Sequence, residues 1–313
     1  MKTLQIVIHC LPREIDQLER ICNSLRESYF FVENQLNIVL DVTLNLNEVF
    51  TDWEKSSIPK EFFINKFETI NKFNDWTYKN IFEIDEQERC LGINDKRRNS
   101  INDDINTDYL MYLDLDLYFP NIALNLLSQL LTQIDTEYCI ISPELTKLWD
   151  ESWDGLVNRK YSTEAYGYYK EMDPFKVNSI AYNNILEENI GVRTLTPIKF
   201  GGGWFNVFSK NLLKYINIPS SLGPYGLDDT FIMVAAEAMR QRGYNIQQYI
   251  LEGVVCVENV KYSIYEHNPY RDLIVDKSLQ NKGREFKQNY RDNAQNNFNL
   301  ELTRFLDKIT NKI

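Results

Sequence analysis

Residues 108–120 read Asp-Tyr-Leu-Met-Tyr-Leu-Asp-Leu-Asp-Leu-Tyr-Phe-Pro, an apolar run that breaks into two carboxylates, Asp114 and Asp116. The run 109–113 has the length and composition of a buried central strand. A strand ending in Asp-x-Asp can turn both carboxylates toward one small volume, and two hard oxygen donors suit Mg²⁺ or Mn²⁺. Such an ion is most useful for neutralising a diphosphate, whose departing oxygen gains negative charge. As a bare pattern, Asp-x-Asp also occurs in solvated bends and helix caps. The apolar run before it, the Leu-Tyr-Phe-Pro after it and the helical stretch 121–134 set this one apart.

Working outward, 4–10 reads as a first strand, and Ile15, Leu18, Ile21, Cys22 and Leu25 recur at helical spacing over 13–28. Further strands are predicted at 36–42, 80–84 and 137–142. Strands alternating with helices predict an α/β fold, a mostly parallel Rossmann-like sheet flanked by helices. Ligands on such sheets sit at the carboxyl ends of the strands. That rule places Pro12, Arg13 and Glu14, after the first strand, beside Asp41 at the end of the second. An ordinary reading is available too: Pro12 and Arg13 can open the helix, and Glu14 can complement its dipole.

The segment 94–100, Asn-Asp-Lys-Arg-Arg-Asn-Ser, gathers three positive charges just ahead of the carboxylate strand. Arg98 can fork onto a phosphate or a base edge while Asn99 caps the loop; consecutive cations can equally form a solvated face. The regular alternation lapses over 149–197, a stretch carrying Trp149, Trp153, Tyr161, Tyr166, Tyr168, Tyr169 and Tyr182. An excursion of that length reads as an insertion or acceptor lobe, its aromatic residues forming either a sugar platform or a small core.

Three of the chain's 12 glycines fall together at Gly201, Gly202 and Gly203, directly before Trp204. Glycine at that density clears side chains where something must approach the backbone, although a tight turn explains one or two of them. No Gly-Lys-Ser/Thr follows, so a phosphate P-loop is not indicated. Residues 223–231, Gly-Pro-Tyr-Gly-Leu-Asp-Asp-Thr-Phe, open a helix predicted over 230–242 and point Asp228 and Asp229 at whatever the loop encloses. Asp and Thr at a helix start are also ordinary caps. A strand pair is predicted at 244–251 and 253–258, followed by His267, one of two histidines. Beyond 275 the sequence turns polar, with Phe298, Leu302, Phe305 and Ile309 at helical spacing. That stripe predicts a C-terminal helix docked on the domain or on a second copy as a homodimer.

Taken in order, these motifs over residues 4–270 resemble the GT-A fold nucleotide-sugar glycosyltransferases. The strand ending in Asp114 and Asp116 is similar to their metal strand, and Arg98-Asn99 resembles the helix start of family 2 enzymes. Gly226-Leu-Asp-Asp229 resembles the Gly-Glu-Asp-Asp segment of galactosyl- and N-acetylgalactosaminyl-transferases. The resemblance implies a GT-A domain over 1–275, with 149–197 as its insertion and 276–313 as a helical tail. It implies donor contacts from Pro12, Arg13, Glu14, Asp41, Arg98, Asp114, Gly202, Gly203 and Trp204, and a metal on Asp114, Asp116 and His267. Asp228 then stands as the base that takes the acceptor proton and Asp229 as cap or orienting partner, giving inversion. Leu227 stands where the family has glutamate, so acceptor identity does not carry across.

The whole chain bounds this reading. With 313 residues, 43% of them hydrophobic, it can bury one sizeable core. No apolar stretch is long enough to span a bilayer, and the opening residues read as a strand, so a cytoplasmic protein is expected. Five scattered cysteines without metal-ligand spacing read as reduced core thiols. A net charge of −11 disfavours DNA and anionic lipid as partners. The expected partners are a nucleotide diphosphate sugar, UDP-linked in the first instance, and a glycan or other hydroxyl-bearing acceptor. Three alternatives stand beside it: transfer to hydroxymethylated bases of viral DNA, a nucleotidyltransferase, and a noncatalytic sugar- or nucleotide-binding module.

Overall fold

The computed structural model describes the chain except residues 31, 33–34, 48–50, 87–91, 121, 146–152, 159–189, 259–269, 275–278 and 312–313. It contains a nine-stranded mixed sheet between two layers of helices. The chain opens with β1 (Lys2–Cys10), a short 3-10 turn at Pro12–Glu14 and α1 (Ile15–Tyr29). There follow β2 (Leu36–Asn45), α2 (Lys60–Lys72), β3 (Lys79–Asp85), α3 (Ile93–Asn102) and β4 (Tyr109–Leu113). The two-residue β5 (Leu117–Tyr118), α4 (Ala123–Gln133), β6 (Tyr138–Leu145), β7 (Gly191–Leu195), β8 (Phe205–Ser209) and α5 (Lys210–Ile216) come next. The chain continues through α6 (Asp228–Gln241), β9 (Ile246–Glu258), the four-residue α7 (Arg271–Ile274) and α8 (Leu279–Thr310).

The strand order is β3-β2-β1-β4-β8-β6-β9-β5, with β7 also on β9. β1 runs parallel to β2 and β4, β2 to β3, and β6 to β9, while β8 is antiparallel to both its neighbours. The predicted mostly parallel α/β sheet is therefore present. Because β2 and β3 lie on one side of β1 and β4 lies on the other, the order reverses between β1 and β4. Ligands of open α/β sheets bind at such a switch point, outside the carboxyl ends of the strands.

β4 shows why the sequence forms a central strand. All five residues are buried: Tyr109, Met111 and Leu113 face one core and Leu110 and Tyr112 the other. A strand covered on both faces reads as an unbroken apolar run, as this one does. Ile15, Leu18, Ile21, Cys22 and Leu25 form the buried stripe of α1. α6 buries Phe231, Ile232, Ala235, Ala236 and Met239 and exposes Val234.

The predicted strand pair 244–258 is one long strand, β9, whose pairing with β6 slips between Pro143 and Glu144 opposite Gly253. Gly253 has φ 82°, a conformation that suits glycine and lets the strand bulge without ending. The C-terminal stripe docks within the chain: Phe298 and Phe305 meet Phe231 edge-on, and Phe305 also meets Tyr215. Four cysteines, Cys10, Cys22, Cys139 and Cys256, are buried and form no disulfide among the described residues; Cys90 lies outside them. Among the described residues no helix is long and apolar enough to cross a membrane.

Candidate active site

Leu113 is the last residue of β4, so Asp114 stands at its carboxyl end, beside the switch point with β1. Its backbone N–H donates to the Trp204 carbonyl at 2.9 Å, pinning the strand end to the glycine-rich turn. Asp116 sits two residues on, half-buried, in the turn before β5. That turn is held from behind by a residue the sequence reading missed: Arg20 of α1 donates to the Leu115 carbonyl at 2.9 Å and the Leu117 carbonyl at 2.5 Å.

A cavity of about 380 Å³ opens here, lined among others by Arg97, Asp114, Gly203, Trp204, Asp228 and Asp229. Arg97 organises it. The guanidinium is buried, donates to Asp228 Oδ2 at 2.7 Å, Asp114 Oδ1 at 3.1 Å and the Gly203 carbonyl at 2.9 Å, and lies 4.9 Å from the Tyr112 ring centroid. The sequence reading chose its neighbour, and that choice is corrected. Arg98 points away from the cavity and donates to the Ile218 carbonyl at 2.8 Å, the Pro219 carbonyl at 3.1 Å and Asp95 at 2.7 Å. It ties α3 to the loop before α6.

Each of the three glycines lies close against a particular neighbour. Gly202 has φ 68°, and a Cβ there would come within 3.1 Å of the Trp153 ring. At Gly203 a Cβ would fall 2.7 Å from Arg97 Nη1 and 3.1 Å from Asp229 Oδ2. At Gly201 it would press on Asn206 and Ser142. Gly203 and Trp204 line the cavity, and Gly202 packs against Trp153.

At the start of α6, Leu227 takes the left-handed conformation, φ 60°, which turns the chain sharply enough to direct both aspartates inward. Asn94 secures this loop, donating its side-chain amide to the Gly223 and Gly226 carbonyls at 3.2 and 3.1 Å. The two aspartates differ in their surroundings. Asp228 is almost fully buried and bonded to Arg97. Asp229 is half-buried, and its Oδ1 accepts from Thr230, from the backbone N–H at 2.6 Å and the hydroxyl at 3.3 Å.

Crowding of carboxylates in a poorly solvated place raises their affinity for protons. Burial, reinforced by Asp228, pushes Asp229 up to about 6 against the opposing pull of Arg97. Burial likewise pushes Asp114 up to about 7, with Arg97 opposing and Asp228, Asp229 and Glu14 reinforcing.

Pro12, Arg13 and Glu14 form the turn at the end of β1, where the carboxylate of Glu14 accepts the Leu11 N–H at 3.1 Å. Pro12 and Arg13 are buried there. Asp41 is not at a strand end: β2 runs on to Asn45, leaving Asp41 in mid-strand opposite Val7 and Ile81. It is buried in an ion pair with Lys96 and accepts from Gln5 at 2.9 Å, so its carboxylate is engaged inside the fold. His267 lies outside the described residues.

Among the described residues no three His, Cys, Asp or Glu side chains form a metal-binding group. Mg²⁺ and Mn²⁺ are commonly held by one or two carboxylates together with substrate phosphates and water. Asp114 and Asp116 supply hard oxygens of that kind, and the cavity holds three carboxylates against the guanidinium groups of Arg97 and Arg291, so the donor set fits such an ion. The wall opposite the strand end comes from α8. Arg291 lies 5.6 Å over the Tyr225 ring and, with Gln295, borders the cavity. A second cavity of about 400 Å³ lies at the opposite, amino-terminal edge of the strands among Lys2, Asp108, Lys210 and Lys214, away from the switch point.

No family model matches the sequence, and no curated protein matches it. Among solved structures the chain is similar to S. aureus TarS 1-349, at 13% identity over 85% of this chain and 63% of that one, with a TM-score of 0.45. It is similar to the same protein in complex with UDP-GlcNAc at 14% identity, over 80% of this chain and 56% of that one, with a TM-score of 0.43. It is also similar to the mannosyltransferase PcManGT from Pyrobaculum calidifontis in complex with GDP-Man and Mn²⁺, at 15% identity over 82% of this chain and 56% of that one, with a TM-score of 0.43. The chain spans less than two thirds of the length of each. The chemistry assigned below rests on the residues of the cavity.

Proposed function

We propose that this protein is a nucleotide-sugar glycosyltransferase that moves a sugar to an acceptor hydroxyl at the cavity between β4 and α6. One observation carries the reading: Arg97 brings a strand-end carboxylate, a glycine-rich turn and a helix-start aspartate pair into a single cavity at the switch point of the sheet. Strand-end oxygens suit the diphosphate end of a donor, and the aspartate pair suits an attacking hydroxyl. Pro12, Arg13 and Glu14 form the turn at the end of β1, on the strand-end side where a donor would lie in this reading.

Asp229 is the base in this reading, and Asp228 is its support, reversing the order assigned from the resemblance. A base must reach the substrate and hold a pKa near the working pH. Asp229 lines the cavity and its carboxyl is pushed up toward that range, whereas Asp228 is buried against Arg97. Asp229 takes the acceptor proton as the hydroxyl oxygen bonds to the anomeric carbon from the face opposite the phosphate. The carbon–oxygen bond to the diphosphate breaks, its electron pair leaves with the nucleotide, and the sugar is inverted. A divalent ion held by Asp114 and Asp116 would supply neutralising charge to the diphosphate.

The reading is tested without knowledge of the acceptor, with water standing in for the acceptor hydroxyl. UDP- and GDP-sugars, the donor types bound in the similar structures, are incubated with the protein and Mn²⁺, and free nucleoside diphosphate is measured. Release from one donor that disappears in Asp229→Asn supports the proposal. Release from none, with no donor bound, contradicts it.

A further inference from the structure

Arg97 joins three segments that are remote in sequence: the end of β4 through Asp114, the glycine-rich turn through the Gly203 carbonyl, and the first residue of α6 through Asp228. Each contact lies within hydrogen-bonding distance, and the guanidinium is buried against Tyr112. A planar fork with several fixed donors can bridge groups in this way, where the point charge of a lysine cannot.

Carboxylates outnumber guanidinium groups around it: Asp114, Asp228 and Asp229 line the cavity with Arg97 and Arg291. Arg97 already occupies Asp114 Oδ1, one of the oxygens a metal would use. We propose that Arg97 is a positioning residue that fixes the aspartate-bearing start of α6 against the strand end, and that a divalent cation reaches Asp114 in competition with it. Entry of the ion would loosen the Asp114 contact while the Asp228 and Gly203 contacts keep Asp229 in place.

The proposal rests on the glycosyltransferase reading only for the role given to Asp229, and metal binding tests it separately. Mn²⁺ alone is titrated calorimetrically into the wild type and Arg97→Gln, each shown to be folded by circular dichroism. Removing a positive charge a few ångströms from the ion should tighten Mn²⁺ binding by about tenfold or more. A residue that merely shaped the site would weaken binding when removed. Arg97→Lys keeps the charge but loses the fork, so Mn²⁺ affinity should rise by less than in Arg97→Gln.

Should Arg97→Gln fail to fold, Gly203→Ala serves instead: its Cβ would press on Arg97 Nη1 and Nη2 and on Asp229 Oδ2, loosening the guanidinium without removing its charge, so Mn²⁺ binding should tighten by less than in Arg97→Gln. Weaker or unchanged Mn²⁺ binding in the folded variant, or no binding by wild type and variant alike, overturns the proposal. In a turnover assay the same variants should lose kcat with little change in donor KM; an unchanged kcat overturns the positioning role. Tighter Mn²⁺ binding without binding of any nucleotide sugar would keep the competition at Asp114 and remove the glycosyltransferase reading.

Discussion

Arg97 Nη1 lies 2.7 Å from Asp228 Oδ2, joining residues 131 positions apart in the chain. Both side chains are almost fully buried, so neither is satisfied by water once the other is gone. Loss of one partner of such a pair typically costs about 3–5 kcal/mol. Arg97→Met should therefore lower the unfolding free energy by roughly 3 kcal/mol or more in urea titrations. Asp228→Asn should cost less, because it also relieves repulsion among the three carboxylates.

The neighbouring arginine should behave differently. Arg98 contacts two carbonyls and Asp95 outside the cavity, so Arg98→Gln is expected to cost about 1–2 kcal/mol of stability. Its kcat and donor KM should match those of the wild type. A fall in kcat without loss of stability would restore Arg98 to the site.

Asp229→Asn should lower kcat by about 10²–10⁴-fold while leaving donor affinity unchanged, as loss of a general base does. Asp228→Asn should retain more activity, because it loses an Arg97 contact and not the proton acceptor. The reverse ranking, read from initial rates at saturating donor, would return the base role to Asp228.

The raised carboxyls give the metal-free protein a distinctive pH profile. Asp229 at about 6 and Asp114 at about 7 hold protons in the folded state that unfolded aspartates have already lost. The folded state then binds more protons than the unfolded one, and stability falls as pH rises through the folded pKa values. Thermal midpoints measured with chelator should decline from about pH 5 to about pH 8, and Asp114→Asn should flatten the decline. The depressed carboxyls Asp52 and Glu237 have ordinary values of 3.8 and 4.5 and act at lower pH, so they do not mask this window.

Asp41→Asn tests a residue first assigned to the donor. It should destabilise the fold by roughly 3 kcal/mol by leaving buried Lys96 without its partner. Donor binding by the folded fraction should persist.

Much of the architecture was legible because short unbroken apolar runs such as 109–113 have the length of strands covered on both faces. The site was legible where chemistry interrupts such a run, at Asp114, or where glycine is dense, at Gly201 to Gly203. Arg97 was missed for a geometric reason. Successive helix residues point about 100° apart, and the rotation of α3 on the sheet, which no local pattern records, decides which of two adjacent arginines faces the cavity. The place of Asp41 was misjudged because β2 continues through the polar residues Thr43 and Asn45. Arg291 and Gln295 carried no local signal, as they reach the cavity only through the docking of α8.

The central claim is that the cavity joining Asp114 to Asp229 binds a nucleotide sugar. Calorimetric titration of UDP- and GDP-sugars into the protein, with Mn²⁺ and again with chelator, tests it most directly. Saturable binding of one donor that weakens at least tenfold with chelator, and weakens equally in Asp114→Asn with Mn²⁺ present, is the predicted result. Binding of no donor, or binding that Asp114→Asn leaves unchanged, would contradict the account.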